Sequence, residues 1–318
     1  VCLLDVLQML SSELEITLVV AHYNHGLRGD EDKFETLFTR KIADSMQLPF
    51  ETENASGLLE CLSSIEKRSR EARYAFLEKI RNKHGAQRIA MGHNLNDQAE
   101  TVLMRLLRGS GPSGLAGIPP VRDNIIIRPL IEVTRDEIKN YLNARRLTFA
   151  IDSSNSSRIY LRNRIRLELV PMMLDYQPRL LKHLGFVSDI IRDEDAFLES
   201  MALRWTEQEA STNSHGETTI PISSIKSLPD PLKKRAIRRL FRQVDGSIYN
   251  MEYDHVLSVI KLLDNEKPQC SIDLPNGIVV RKTYQNLCFI LKQKIATTEY
   301  SYSVKDIGTY HLGAIGCT

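Results

Sequence analysis

The residues best suited to chemistry lie in His93-Asn-Leu-Asn-Asp-Gln-Ala-Glu100. Asp97 and Glu100 stand three positions apart in a segment of helical period, which puts both carboxylates on one helical face. A close carboxylate pair can hold Mg2+ on a nucleotide or take a proton from an amine. The apolar run Arg88-Ile-Ala-Met-Gly92 just before it reads as a buried strand. At the carboxyl end of a strand in an open α/β sheet, that helical face looks into the crevice where ligands bind. Asn96 reads as the N-cap, and Asp97 and Glu100 fall in the first turn, where the helix dipole favours acids. Ala99, Val102, Leu103, Leu106 and Leu107 supply the apolar face. A plain capped amphipathic helix stays open on spacing alone. Capping accounts for one acid, hardly for the whole cluster of His93, Asn94, Asn96, Asp97 and Glu100.

The neighbouring segments supply a frame for this cluster. Ile16–Ala21 is a β-branched strand that runs into His22-Tyr-Asn-His-Gly-Leu-Arg-Gly29, the usual place for a ligand loop in α/β proteins. His22 and His25 lack a nearby third histidine or cysteine, so contacts to a base or within the loop are preferred over metal ligation. A helix is expected over Asp30–Met46, a strand over Leu48–Thr52, and a long helix over Ser63–His84 whose charges mostly face solvent. Arg73-Tyr74 is the exception, beside Phe76 and Leu77. Between Gly109 and Pro120 lie four glycines and three prolines, a shaped loop rather than a flexible linker. Ile125–Ile131 is the next strand, with Arg128-Pro129 towards its end, and Thr134 with Glu137 forms a capping box for a helix through Leu142. The repeated strand–turn–helix order predicts an α/β fold with an open, mostly parallel sheet and helices on both faces.

The 318 residues suffice for two domains and a further fragment. Hydrophobic content of 42% and charged content of 26% are ordinary for a globular protein, and no apolar run approaches the ~18 residues of a membrane span. The first ten residues lack the basic region of a signal peptide. Five scattered cysteines without a CxxC argue against a disulfide scaffold or zinc ribbon and fit a cytoplasmic location. In Tyr160–Pro171, Arg162, Arg164 and Arg166 fan around a helix, with Arg162 and Arg166 on one face. Leu180–Glu209 reads as a long helix and Ser211–Glu217 as a loop. Leu232–Arg242 carries six basic residues and no acid, and Lys234, Arg235, Arg238 and Arg242 line one broad face. That face is either an electrostatic footprint for nucleic acid or the solvated side of a surface helix. Ser271–Leu274, Gly277–Lys282 and Leu287–Leu291 suggest a small antiparallel sheet.

Several stretches together resemble the tRNA(Ile)-lysidine synthetase family of PP-loop (N-type) ATP pyrophosphatases. They are Ala21–Arg28, Glu71-Ala-Arg-Tyr74, Gly92–Thr101, Leu107–Gly117, Arg128-Pro-Leu130, and Asp152-Ser-Ser-Asn155 with Arg162-Asn-Arg-Ile-Arg166. Their order and spacing match over roughly residues 1–175, and Leu274–Val280 matches the family's later part more weakly. The resemblance implies a Rossmann-like catalytic domain over residues 1–178, a smaller helical and α+β accessory tRNA-binding domain over 179–293, and the start of another domain over 294–318. It implies ATP, Mg2+, L-lysine and a tRNA(Ile) with a CAU anticodon as participants, no membrane, and a homodimer as one option for assembly. The implied reaction activates C2 of the wobble cytidine as an adenylate, which the lysine amine displaces. By the same resemblance Asp97 and Glu100 are catalytic, with Asp97 handling Mg2+ or general-base work and Glu100 gripping the lysine ammonium. Asn24, Arg73, Gly92 and His93 line the ATP site. Arg108, Arg128, Asn155, Arg162, Arg164 and Arg166 steady the anticodon region. Independently of the resemblance, the basic face of Lys234, Arg235, Arg238 and Arg242 is the further candidate for tRNA contact.

The family's Ser-Gly-Gly-x-Asp-Ser phosphate loop has no counterpart here, because Val1-Cys-Leu-Leu-Asp5 aligns just after it. The sequence therefore reads as truncated at that point, and without the loop it is expected to be inactive. Two rivals stand beside this reading. A PP-loop tRNA thiolation enzyme would use similar ATP chemistry, although its cytosine-specific members carry CxxC pairs. A non-catalytic RNA-binding remnant is the other.

Overall fold

The computed structural model describes residues 1–292 except 27–28, 56–64, 151–157, 159, 215 and 247–249. The chain divides into two units, Val1–Ala196 and Phe197–Thr318.

In the first unit, strands Val20–Asn24 and Phe50–Asn54 pair in parallel, Val20 opposite Phe50 and Asn24 opposite Asn54. The ladder thus starts four residues later than the β-branched run predicts, and His22, Tyr23 and Asn24 are strand rather than turn. Ile89–Ala90 pairs in parallel with Ile126–Ile127, which Val121–Arg122 joins antiparallel. Around these strands lie the helices Cys2–Met9, Asp30–Ser45, Ile65–Lys83, Leu95–Leu107 and Arg135–Ala144. This is the strand–helix alternation of an α/β fold with parallel pairing.

The helix Leu95–Leu107 starts earlier than the sequence suggests. Its N-cap is Asn94: the Asn94 side chain accepts the Asp97 N–H and the Asp97 carboxylate accepts the Asn94 N–H, both at 3.1 Å. Asn96, expected as the cap, instead accepts the backbone N–H of Arg135 at 2.8 Å. The buried face is also narrower than expected, since Leu106 and Leu107 are exposed. Leu103 packs with Ile165 and Val170 and so fixes this helix against the run Leu161–Tyr176. Full burial of each such side chain contributes roughly 1.5–3 kcal/mol. Within that run, Ile165–Leu169 widens into a π-helical turn just ahead of Pro171, which has no N–H to give the ladder.

The second unit holds a five-stranded antiparallel sheet in the order Ser211–Thr212, Thr218–Pro221, Asn286–Leu291, Ile278–Lys282, Cys270–Asp273. Ser211-Thr212, read as loop, forms its edge. Ile237, Leu240 and Phe241 of helix Asp230–Asp245 and Val256 and Val259 of helix Tyr253–Asp264 pack on Val280, Leu287 and Phe289 of the sheet. Lys282 is buried in this core, its ammonium donating to the carbonyls of Leu263 and Asn265 at a helix end.

Candidate active site

Helix Leu95–Leu107 follows the carboxyl end of strand Ile89–Ala90 and presents Asp97 and Glu100 to three arginines. The Glu100 side chain is only 2% exposed. It accepts from Arg162 Nε at 2.8 Å, Arg166 Nε at 2.7 Å, Arg166 Nη2 at 3.0 Å and Arg135 Nη2 at 3.2 Å. Asp97 accepts from Arg162 Nη2 at 3.0 Å, with Arg135 and Arg166 each 3.7 Å away. Burial by itself would raise the Glu100 carboxyl, yet the bonds and charges of Arg166 and Arg162 outweigh it and hold the group below the ordinary carboxylate value. Glu100 is thus clamped in its ionised form.

His93 and a set of arginines stand beside the pair. His93 Nδ1 accepts from Arg128 Nε at 3.3 Å. Burial lowers its pKa to about 4, helped by the charges of Arg128, Arg162 and Arg73 against the opposing pull of Asp97. The imidazole is therefore neutral at neutral pH. Arg128 is buried and donates to the Pro119 carbonyl at 2.5 Å, while Arg73 has a buried Nε without a partner. Burial lowers both guanidinium pKa values, and among the described residues neither is paired with a carboxylate. Tyr74 lies under Arg122, Arg70 and Arg73 at 4.5, 5.6 and 5.8 Å from its ring centroid. Burial would raise its phenol, but Arg70, Arg122 and Arg128 leave it below the usual value.

The glycine-rich loop is held by helix side chains. Gln98 Oε1 accepts the Ile118 N–H at 2.6 Å, and Arg105 Nη1 donates to the carbonyls of Gly114 and Gly117 at 2.7 and 2.8 Å. Gly117 has φ +66°, and a Cβ there would come within 2.7 Å of the Gln98 amide. Only glycine suits that position.

Arg73, His93, Asp97, Glu100, Arg128, Arg162 and Arg166 are thus brought together. Other expected residues make no hydrogen bond or ion pair to the acids among the described residues. Asn24 closes its own turn by accepting the Gly26 N–H at 2.8 Å, Gly92 is exposed next to His93, and Arg108 ends the helix by the glycine loop. Arg164 is exposed, facing away from the acids that Arg162 and Arg166 reach, and Asn155 lies outside the described residues. In the second unit, Lys234 donates to the Tyr253 hydroxyl at 2.8 Å, and Arg235 lies 3.6 Å from Glu199. Arg239 bonds the same glutamate at 2.5 Å, so part of the basic face is neutralised while Arg238 and Arg242 stay exposed. Arg135, which the sequence does not single out, belongs with the acid pair. Its signal is an arginine in the first turn of a helix, where the macrodipole disfavours a cation.

The pair as arranged does not fit the Mg2+ expected at Asp97. Its Oδ1 faces guanidinium groups, its Oδ2 accepts a backbone N–H, and no group of three or more His, Cys, Asp or Glu suited to a metal occurs among the described residues. A divalent cation here would sit among three positive side chains.

Known proteins resemble this chain in sequence and in its first domain. Residues 1–173 match a PP-loop domain family. The chain is 37% identical to a tRNA(Ile)-lysidine synthase of Caldanaerobacter subterraneus subsp. tengcongensis, over 99% of this chain and 68% of that protein. The tRNA(Ile)-lysidine synthase of Clostridioides difficile is 33% identical over 97% of this chain and 68% of its own length, and that of Geobacter sulfurreducens is 34% identical over 91% and 62%. The chain spans about two thirds of these relatives. A solved U34-tRNA thiolase from Methanococcus maripaludis overlays 59% of this chain and 69% of its own at TM-score 0.49 and 16% identity, too loose a likeness to carry an argument.

Proposed function

The chain belongs to the tRNA(Ile)-lysidine synthase family of PP-loop proteins, and from that premise we propose that it joins lysine to C2 of the wobble cytidine of a tRNA(Ile) with a CAU anticodon. In the first step the C2 oxygen attacks the α-phosphorus of ATP and pyrophosphate leaves. In the second the lysine ε-amine, having lost a proton, attacks C2, and AMP departs with that oxygen.

One observation carries the reading: the acid pair Asp97 and Glu100 stands beside the half-buried Arg73, whose Nε is buried without a partner, and the buried Arg128, neither of which has a carboxylate partner among the described residues. Desolvated cations without a counter-ion are prepared to receive an anion, here the phosphates of ATP or RNA. Neutral His93, fixed by Arg128, is suited to contact with an uncharged part of the nucleotide. The acids serve the incoming amine: one carboxylate holds the ammonium and the other takes its proton. Because Arg162, Arg166 and Arg135 occupy both acids, the amine is accommodated only as some of these cations turn away, and phosphate is the natural competitor for them. Arg135 acts through the carboxylates and is a positioning residue.

L-Lysine is the proposed co-substrate, and the cytoplasm, where tRNA and ATP meet, the proposed location; no helix among the described residues is long and apolar enough to cross a membrane. Arg238 and Arg242 are the accessory-domain cations left to meet RNA backbone. Neither acid nor arginine is assigned to Mg2+. Asp97→Asn in the full protein tests the division of labour. Lysidine formation should fall by roughly two or more orders of magnitude, the scale of one general base, while tRNA-dependent ATP–pyrophosphate exchange persists. Normal ligation would remove Asp97 from the chemistry.

A further inference from the structure

A groove of about 360 Å³ opens at the start of helix Leu180–Glu209, lined by Thr134, Pro178, Arg179, Lys182, His183 and Phe186 among others. Its size is that of a cleft for one small ligand. Arg179, Lys182, His183 and Phe186 face solvent to differing extents, and Phe186 keeps 63% of its surface open to it. No carboxylate lines the groove. Glu137 feels the charge of Lys182, but its carboxylate already accepts the Thr134 N–H and hydroxyl at 2.7 and 2.6 Å. Two permanent cations and a histidine therefore surround an unstacked phenyl ring without an acid to balance them in the lining. One backbone step links the groove to the acid pair. Thr134 lines the groove, and the next residue, Arg135, donates to Glu100.

We infer that this groove holds a single-stranded RNA nucleotide flanking the reacting base, its base stacked on Phe186 and its phosphate held by Arg179 and Lys182. This rests on the RNA-modifying reading above and adds a place for a neighbour of the modified nucleotide. Charge decides for nucleic acid over an apolar peptide, because a peptide on Phe186 would leave the cations unanswered. Aromatic rings beside cations are the common device for holding single strands, since every base has a face to stack.

The test is equilibrium binding of a fluorescent CAU anticodon stem-loop RNA to the full protein, at several salt concentrations, with lysidine formation measured in parallel. Phe186→Ala should weaken binding about 5- to 150-fold, the range of one lost stack, with the salt slope unchanged, and Phe186→Tyr should retain wild-type affinity. The Arg179→Gln, Lys182→Gln double variant should weaken binding and flatten the log–log salt slope by roughly 0.7 for each phosphate no longer neutralised. Thermal melts within about 2 °C of wild type, less than the shift expected of 1 kcal/mol, check that these surface positions leave the fold alone. Unchanged affinity and slope in both the Ala and the double variants would overturn the groove, as would equal losses in Phe186→Ala and Phe186→Tyr. Absence of stem-loop binding by the wild-type protein would overturn it too. Wild-type binding without lysidine would instead defeat the ligase reading and leave the groove to the variants.

Discussion

Replacing Glu100 by Gln tests whether the clamped acid is a structural charge as well as a reactive one. The carboxylate accepts four guanidinium bonds of 2.7–3.2 Å while only 2% exposed. An amide at the same place keeps one acceptor and turns an NH2 towards donors. Breaking a buried ion pair from one side costs about 3–5 kcal/mol. The arginine side chains are 18–36% exposed and can partly return to water, which favours the lower end, about 3 kcal/mol. At roughly 2–4 °C per kcal/mol for a unit of this size, the melting temperature should drop by about 6–12 °C at pH 7. The sign of the pH effect follows from the lowered carboxyl. Its stabilisation is complete above the unfolded value, about 4.3, and is lost as pH falls through the folded value. The gap between wild type and variant should therefore narrow in melts below about pH 4. Glu100→Gln combined with Arg166→Met should recover part of the loss in a double-mutant cycle. A single variant melting within a degree or two of wild type at pH 7 would refute the reasoning.

His93 should titrate by NMR with a midpoint near 4, so its neutral form adds stability that is present above about 6.5 and lost as pH falls towards 4. A midpoint above about 6, close to the ordinary histidine value, would contradict the burial argument. Arg135→Gln should lower kcat/KM for lysine by roughly 10- to 100-fold, a loss of about 1.4–2.7 kcal/mol, while ATP–pyrophosphate exchange stays within about twofold; equal losses in both assays would rule out a role confined to the acids. Gly117→Ala should destabilise the first unit by about 1–3 kcal/mol in chemical denaturation, because it strains the backbone and strikes Gln98. In the second unit, changing Arg238 and Arg242 to Gln should reduce the salt slope of tRNA binding by roughly 0.7–0.9 for each phosphate left without its cation, and an unchanged slope retires the proposed RNA role of that helix.

Local signals carry much of this structure. The capping box at Thr134, the helix Leu180–Glu209 and the buried side of helix Asp230–Asp245 follow from periodicity and cap chemistry, which act over a few residues. The shared face of Asp97 and Glu100 follows from spacing alone, and so does that of Arg162 and Arg166. That these two faces meet does not, because the meeting is set by Leu103 packing on Ile165 and Val170, distant in the sequence. The strand Val20–Asn24 departs from its predicted place for a similar reason: its ends are set by the partner strand rather than by its own β-branched run. Asn94 and Asn96 are equally good caps in isolation, and the second is diverted to the Arg135 N–H by a fold contact invisible locally.

The central claim is tested most directly by incubating the full protein with unmodified tRNA(Ile) of CAU anticodon, ATP and isotopically labelled lysine, then analysing the tRNA nucleosides by mass spectrometry. One cytidine per tRNA, at the wobble position, should gain lysine with loss of water, together with release of AMP and pyrophosphate. Omitting any one of the three substrates should abolish the product. Label absent from the wobble nucleoside under conditions where the protein binds both ATP and tRNA would contradict the ligase assignment.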